Sequence, residues 1–145
     1  MKVSSRVIRQ TLNDVWPTMH YVWLWDNTYW MSTEVVLDRL LKASKVPEMQ
    51  FMALFNDCDN YALQFLAETR RKRYISYTRG TLPEEQKYPI SVGFAFGNMF
   101  RGISKPHAAN VGVCEDGVYI VDAMQGENRM WKATPENDNM LFIFM

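Results

Sequence analysis

The chain has 145 residues, of which 48% are hydrophobic and 14% aromatic, and its formal net charge is zero. This composition excludes an intrinsically disordered segment, and the lack of a basic excess gives no indication of a nucleic-acid-binding protein. The length suffices for one domain with a sizeable core, and no Pro- or Gly-rich linker divides the chain. We therefore expect a single domain over residues 1–145.

The cysteine content and the apolar runs bear on location. The two cysteines, Cys58 and Cys114, are too few for a disulfide scaffold and favour reduced thiols. The N-terminal segment is amphipathic and lacks the apolar core of a signal peptide, and no apolar run approaches the roughly 20 residues of a membrane span. These features predict a cytoplasmic protein with neither a membrane nor a nucleic acid as its partner.

Two short helices are predicted in the first third of the chain. A helix over residues 5–15 follows from apolar side chains at helical spacing, namely Val7, Ile8, Thr11, Leu12 and Val15. A second helix, capped by Ser32 or Thr33 and running to about Ser44, has its apolar stripe at Val35, Val36, Leu40 and Leu41.

An aromatic segment over residues 21–31 separates these two helices. Its aromatic side chains alternate around Asp26-Asn27, which indicates a hairpin or two extended arms. Flat aromatic faces suit a sugar or a peptide, and ordinary packing in the core is the alternative.

A polar stretch from Phe55 to Leu63 predicts a loop that enters a helix at Cys58. Asn56 is a candidate N-cap, and Asp57 and Asp59 suit the positive end of the helix dipole. A thiol at a helix N-terminus favours the thiolate form, but the two carboxylates oppose this effect. A reactive thiolate here would therefore require a nearby imidazolium.

The cysteine helix is expected to continue to Arg70 or Arg71, where the basic run Arg70-Arg71-Lys72-Arg73 begins. A basic run at the C-terminal end of a helix is favoured by the helix dipole and is typical of a solvated helix end. Contact with an acidic partner or with nucleic acid is the alternative interpretation.

The second half of the chain predicts an antiparallel sheet. Strands are expected at residues 90–96, at residues 106–113 opening with His107, at residues 118–122 ending in Asp122, and at residues 141–145. Helices that precede such strands indicate an α+β fold, with the cysteine helix packed on the sheet.

His107 and Asp122 can share one face of this sheet. If Cys114 to Gly117 form a four-residue loop, Val113 pairs with Val118 and His107 becomes a diagonal neighbour of Asp122. A two-residue Asp116-Gly117 turn keeps the same face but moves Asp122 one pair further away. Gln125 and Glu127 are then alternative orienting groups, and Cys114, on the other face, is interpreted as structural.

Three segments together resemble the transglutaminase-like branch of the papain-like superfamily. They are Asp57-Cys58-Asp59-Asn60-Tyr61-Ala62, His107-Ala108-Ala109-Asn110-Val111 and Val118-Tyr119-Ile120-Val121-Asp122. The same segments are similar to the C-terminal peptidase domain of a fungal agglutinin and to related small phage-encoded proteins. Asn60 stands where a second acid is common in the family, and Ala123 stands where the agglutinin-like version has proline.

The resemblance and the residues imply a cysteine peptidase, an amidase or a transglutaminase-like acyltransferase. Cys58 would be the nucleophile, His107 the base and Asp122 the orienting acid, with Gln50 as a candidate for the oxyanion hole. The substrate would be a peptide or amide. The alternative is a catalytically silent binding protein, acting in phage assembly or host interaction through a protein partner.

No cofactor is expected. His20 and His107 are the only histidines, and no Cys-x-x-Cys motif occurs, so no metal cluster is expected. Calcium, held by Asp57, Asp59 or Asp122, is an alternative that lacks EF-hand spacing.

Overall fold

The structure of the protein is a computed structural model that describes residues 1–53 and 57–145, apart from the side chain of residue 85. The described helices are α1 (Ser5–Val15), α2 (Glu34–Lys42) and α3 (Cys58–Thr78), with short 3₁₀ turns at Val46–Glu48 and Glu84–Gln86. The described strands are β1 (Lys2–Ser4), β2 (Tyr21–Trp23), β3 (Thr28–Trp30), β4 (Val92–Phe100), β5 (Ile103–Cys114), β6 (Gly117–Val121), β7 (Met130–Lys132) and β8 (Asn139–Phe144).

The strands form a six-stranded sheet and a two-stranded sheet. The order in the larger sheet is β2-β8-β4-β5-β6-β7, while β1 pairs with β3 in the smaller one. β2 runs parallel to β8, and the other pairs of the large sheet are antiparallel. The large sheet is therefore mixed, with strands from both ends of the chain at one edge.

The expectation of N-terminal helices followed by an antiparallel sheet is wrong in element order and in strand direction. β1, β2 and β3 all precede α3, and β2 pairs in parallel with the last strand of the chain. Hydrogen bonds beyond the strands extend this contact, from His20 N to Leu141 O at 3.0 Å and from Trp25 N to Met145 O at 3.0 Å. A pairing over such a separation leaves no local signal in the sequence.

The aromatic segment forms two extended arms, not a hairpin. β2 joins the large sheet through β8, whereas β3 joins β1 in the small sheet. The two arms therefore belong to different sheets. Tyr29 is fully buried in β3, whereas the rings of Tyr21 and Trp23 in β2 are exposed.

The helices α1 and α2 bury narrower faces than the sequence indicated. Ile8 and Leu12 of α1 are buried as expected, but Val7 is exposed. In α2 the buried side chains are Leu37 and Leu41, and Val35 is exposed. Thr33 caps α2, where its hydroxyl accepts a hydrogen bond from the backbone N–H of Val36.

α3 packs across β4 and β5 and is longer than expected, since it continues to Thr78. Ala62 of α3 packs against Phe94 of β4 and Ala108 of β5. The amide of Asn110, on β5, donates hydrogen bonds to the carbonyl oxygens of Ala62 at 2.9 Å and Gly93 at 3.2 Å. These contacts fix the first turns of α3, including Cys58, against the middle of the sheet. No helix formed by the described residues is long and apolar enough to cross a membrane.

Candidate functional site

A buried histidine–carboxylate pair lies where β5 and β6 run side by side. Val113 pairs with Val118 and Asn110 with Val121, which brings the residue after β6 next to the middle of β5. His107 Nε2 and Asp122 Oδ2 lie 2.6 Å apart, and their side chains are 5% and 3% exposed. The structure thus brings together two of the three predicted site residues.

Other groups hold the Asp122 carboxylate in place. The Gln125 amide donates to Oδ2 at 3.1 Å, and the backbone N–H of Met124 donates to Oδ1 at 3.2 Å. The ring of Phe100 meets the His107 imidazole edge to face, with 5.1 Å between the ring centroids. From the sequence, Gln125 was an alternative to Asp122 as the group that orients His107. In the structure it hydrogen-bonds to Asp122 and does not replace it.

Cys58 is the first residue of α3 and is partly exposed. It packs beside the cluster of Ala62, Phe94 and Ala108, so it lies on the side of the sheet where α3 crosses β5. The predicted N-cap Asn56 lies outside the described residues. The observed N-cap position is Asp57, whose side chain caps no backbone N–H and instead accepts from the Asn60 amide at 3.0 Å.

The carboxyl groups of Asp57 and Asp59 are linked by a hydrogen bond at the start of α3. This bond, followed by the bond from Asn60, lowers the pKa of Asp57, while the same contact with Asp57 raises the pKa of Asp59. Each of the two carboxyl groups therefore shifts the pKa of the other at the start of α3. Among the described residues no group of three or more potential metal ligands occurs.

The remaining candidates lie apart from the pair. Cys114 is buried in β5, and its Sγ lies 3.7 Å from the hydroxyl of Ser32. Burial raises the pKa of the Cys114 thiol to about 11. Gln50 is exposed in the segment before α3, and its place in an oxyanion hole stays a prediction. The roles of Cys58, His107 and Asp122 as reactive residues also stay predictions.

A second candidate site is an open aromatic cleft of about 630 Å³ between β2, β8 and α3. It is lined almost entirely by apolar side chains, which are Tyr21, Trp23, Trp25, Leu63, Phe142, Ile143 and Phe144. Tyr21, Trp23 and Trp25 are 73%, 64% and 70% exposed. These large aromatic rings form one exposed apolar patch, which makes the cleft a candidate for binding.

A ladder of stacked phenylalanine rings contributes two of its rings, Phe142 and Phe144, to the lining of the aromatic cleft. Phe94 pairs with Phe144, and Phe96 with Phe142, across β4 and β8. Their ring centroids lie 4.9 Å and 5.6 Å apart, within the range of offset stacking. Cys58 packs against the same cluster, so the phenylalanine ladder connects the cleft to the start of α3.

The sequence predicted the exposed or buried aromatic segment over residues 21–31, but it did not predict the cleft. The alternation of Tyr21, Trp23 and Trp25 was visible, and a sugar or peptide platform was one interpretation. The opposite wall comes from Leu63 and from the last strand, which the sequence placed in the sheet with no functional role. The parallel pairing of β2 with β8 creates the cleft, and this pairing was not predicted.

Comparisons with known proteins identify the fold. No family model matches the chain, and no curated protein matches it. A solved structure described as "PSL1a-E64 complex" matches with a TM-score of 0.74 and 17% identity over 99% of this chain and 50% of that one. A structure of Polyporus squamosus lectin, bound to the human-type influenza-binding epitope Neu5Acα2-6Galβ1-4GlcNAc, matches with a TM-score of 0.71 and 16% identity over 99% and 49%.

These matches correct the assignment to the papain-like superfamily and its transglutaminase-like branch. The fold is the one found in the two lectin structures, and the chain spans about half the length of each. The three short motifs that carried the resemblance cover few residues, and no family model supports them.

The matches do not support the expected function. At 17% and 16% identity they show the fold alone, and no family model links this chain to a cysteine peptidase or amidase acting on a peptide substrate. The alternative of a binding protein agrees better with these matches.

Proposed function

We propose that the protein is a binding protein, that the aromatic cleft is its ligand site and that the ligand is a glycan. The observation that carries this proposal is the exposed row of Tyr21, Trp23 and Trp25 beside an apolar cavity of about 630 Å³. Exposing three large rings in one patch is unfavourable in water unless a ligand covers them.

The aromatic rings of the cleft suit the apolar face of a sugar ring. The C–H groups on one face of a pyranose carry partial positive charge and contact the negative face of an aromatic ring. Trp25 stacks on Phe144 with ring centroids 5.9 Å apart and an angle of 17° between planes. The phenylalanine ladder thus holds this ring in position before a ligand arrives, which lowers the entropy lost on binding.

The fold comparison supports a glycan as the ligand and supplies the first compound to test. One of the matching lectin structures has Neu5Acα2-6Galβ1-4GlcNAc bound to it. Because the chain corresponds to half of that lectin, the match supports testing glycans and does not place the sugar in this cleft.

The test is calorimetric titration with a panel of oligosaccharides that contains this trisaccharide and neutral disaccharides. We expect a dissociation constant weaker than micromolar and a loss of affinity of about tenfold in Trp23→Ala and in Trp25→Ala. Tyr74→Ala is the matched control, since Tyr74 is 68% exposed and lies outside the cleft lining. The proposal fails if no glycan binds, or if both tryptophan variants bind as the wild type does.

The second candidate is binding of a protein partner through the same cleft. The nearly complete lack of polar lining favours this interpretation, because a glycan requires hydrogen-bonding groups as well as rings. The outer edge of β2 is partly covered, since the Arg9 guanidinium donates to the Val22 carbonyl at 2.9 Å. A partner would therefore insert apolar side chains and would not add a strand. Selection of apolar peptides that bind the wild type but not Trp23→Ala, with no glycan binding, would favour this candidate.

A further inference from the structure

A small basic pocket of about 190 Å³ lies on α3, away from the aromatic cleft. One wall is a helical stripe at spacings of three and four residues, formed by Arg70, Arg73, Tyr74 and Tyr77. The other wall is the segment Lys87-Tyr88-Pro89. The basic run of the sequence is therefore not simply a solvated helix end, because two of its four cations, Arg70 and Arg73, line this pocket.

Arg73 joins the two walls. Its Nε donates to the Tyr88 carbonyl at 2.7 Å, and a terminal nitrogen donates to the Gln86 carbonyl. The guanidinium lies over the Trp30 ring, 4.4 Å from the centroid. These contacts fix the orientation of the half-buried cation, so the pocket is preformed.

The positive charge in the basic pocket is weakly compensated. Among the described residues no carboxylate lies within ion-pair distance of Arg73, and burial, followed by repulsion from Arg70, lowers its pKa to about 10. Arg70 lies 3.5 Å from a half-exposed Asp26 carboxylate, and Lys87 pairs with the exposed Glu84. Pairs of this kind are screened by water and exchange readily for another anion.

We propose that this basic pocket binds a phosphate or sulfate group carried on a ring-bearing molecule. Arg70, once it exchanges its long contact with Asp26, presents a planar fork of donors that fits two oxygens of such a group, and Arg73 and Lys87 add positive charge. Tyr74 and Tyr77 line the pocket and are 68% and 47% exposed, so an attached ring can contact them. The volume is below the roughly 300 Å³ of a site for a drug-sized ligand, so the pocket holds one end of a larger molecule.

The site is separate from the glycan proposal. Arg70 also borders an apolar cavity beside Trp25 and Leu63, but no other residue of the basic pocket lines that cavity or the aromatic cleft. Variants at Lys87 and Glu84 therefore test the basic pocket alone.

The experiment titrates phenyl phosphate and phenyl sulfate into the protein at low ionic strength, with phenol as the uncharged control. Chemical shifts of the α3 amides report binding. We expect saturable binding of at least one ester in the millimolar range and none of phenol. Binding of phenyl phosphate alone would identify a phosphate site, and binding of both a general tetrahedral oxyanion site. No saturation with either ester would overturn the proposal.

Two variants should change the affinity in opposite directions. Lys87→Gln removes a charge and should weaken ester binding by about fivefold, while Glu84→Gln releases Lys87 and should strengthen it by about twofold. Arg71→Gln is the matched control, because Arg71 lies on the same helix but lines a different cavity. Equal weakening in Arg71→Gln and Lys87→Gln would show a general charge effect and overturn the proposal. Trp23→Ala should leave ester binding unchanged.

Discussion

His107 and Asp122 form a buried hydrogen bond of 2.6 Å although 15 residues separate them in the chain. Asp122 also accepts from Gln125 and from the backbone of Met124, so its carboxylate is surrounded by donors. Removing the imidazole leaves a buried carboxylate with fewer partners, and such losses cost more than the bond itself contributes. The His107–Asp122 pair therefore stabilises the fold, whatever further role it has.

We expect His107→Ala to lower the free energy of unfolding by about 3 kcal/mol. Urea denaturation at neutral pH measures this change, and His20→Ala is the control because His20 is exposed. The control should change stability by less than about 0.5 kcal/mol. A loss in His107→Ala as small as that in the control would mean that the pair adds little to the fold.

The two thiols should differ in reactivity in the native protein. Cys58 is partly exposed, whereas Cys114 is buried and burial raises the pKa of its thiol to about 11. At pH 8 only about one molecule in a thousand then carries the Cys114 thiolate. Iodoacetamide should therefore modify one cysteine per chain, found at Cys58 by peptide mass mapping, and a second cysteine only in denaturant. Rapid loss of both native thiols would contradict this expectation.

The predicted roles of Cys58, His107 and Asp122 are tested by the same reagent. In a Cys114→Ser background, alkylation of Cys58 is followed with and without His107→Ala. If the residues act as one group, we expect the substitution to slow alkylation at neutral pH by about tenfold, because the imidazolium that stabilises a thiolate is lost. Asp122→Asn should act in the same direction. Equal rates in all variants would show that Cys58 reacts independently.

Local features of the fold were within reach of the sequence. α1 spans Ser5–Val15, the predicted range, because its apolar spacing is regular and Pro17 follows. The pairing of Val113 with Val118 is one of the two registers considered, and this register brings Asp122 near His107. Strand alternation and a short turn fix such a pairing without long-range information.

Long-range features were not within reach. The parallel contact of β2 with β8 joins residues about 120 positions apart, and both the mixed sheet and the aromatic cleft depend on it. The predicted buried face of α2 was also wrong. Val35 and Val36 are as apolar as Leu37, and only the tertiary packing selects Leu37 for burial. The basic pocket was missed for the same reason, since Lys87 and Tyr88 reach Arg73 only in the folded chain.

Gly112 in β5 allows Leu37 to pack directly on the strand. A Cβ at position 112 would lie 2.5 Å from Leu37 Cδ2, and Leu37 is fully buried. We expect Gly112→Ala to destabilise the protein by about 2 kcal/mol because the fully buried Leu37 side chain must shift within a packed core. Thermal and urea unfolding measure the loss. Shortening the partner should relieve the clash, so Gly112→Ala with Leu37→Val should lose less than the sum of the single variants. Strict additivity would contradict a direct clash.

Glu68 links α3 to the end of α2 and should make stability depend on pH. Its carboxylate accepts a hydrogen bond from the Ser44 hydroxyl and pairs with Lys72 at 2.8 Å. Burial raises the pKa of Glu68, but the hydrogen bonds from Lys72 and Ser44 outweigh burial, so the pKa lies below its usual value. A carboxylate with a lowered pKa stabilises the fold above its unfolded pKa, and this contribution is lost as the pH falls through the folded pKa.

We therefore expect Glu68→Gln to cost about 1 kcal/mol at pH 7 and less near pH 3, because the wild-type carboxyl gains protons as the pH falls towards its lowered pKa. Urea titrations of both proteins at the two pH values measure the difference. Glu136→Gln, at an exposed position, serves as the control, and its stability difference from the wild type should not depend on pH. If the difference in unfolding free energy between wild type and Glu68→Gln stayed constant from pH 7 to pH 3, the Glu68 charge would not stabilise the contact between α2 and α3.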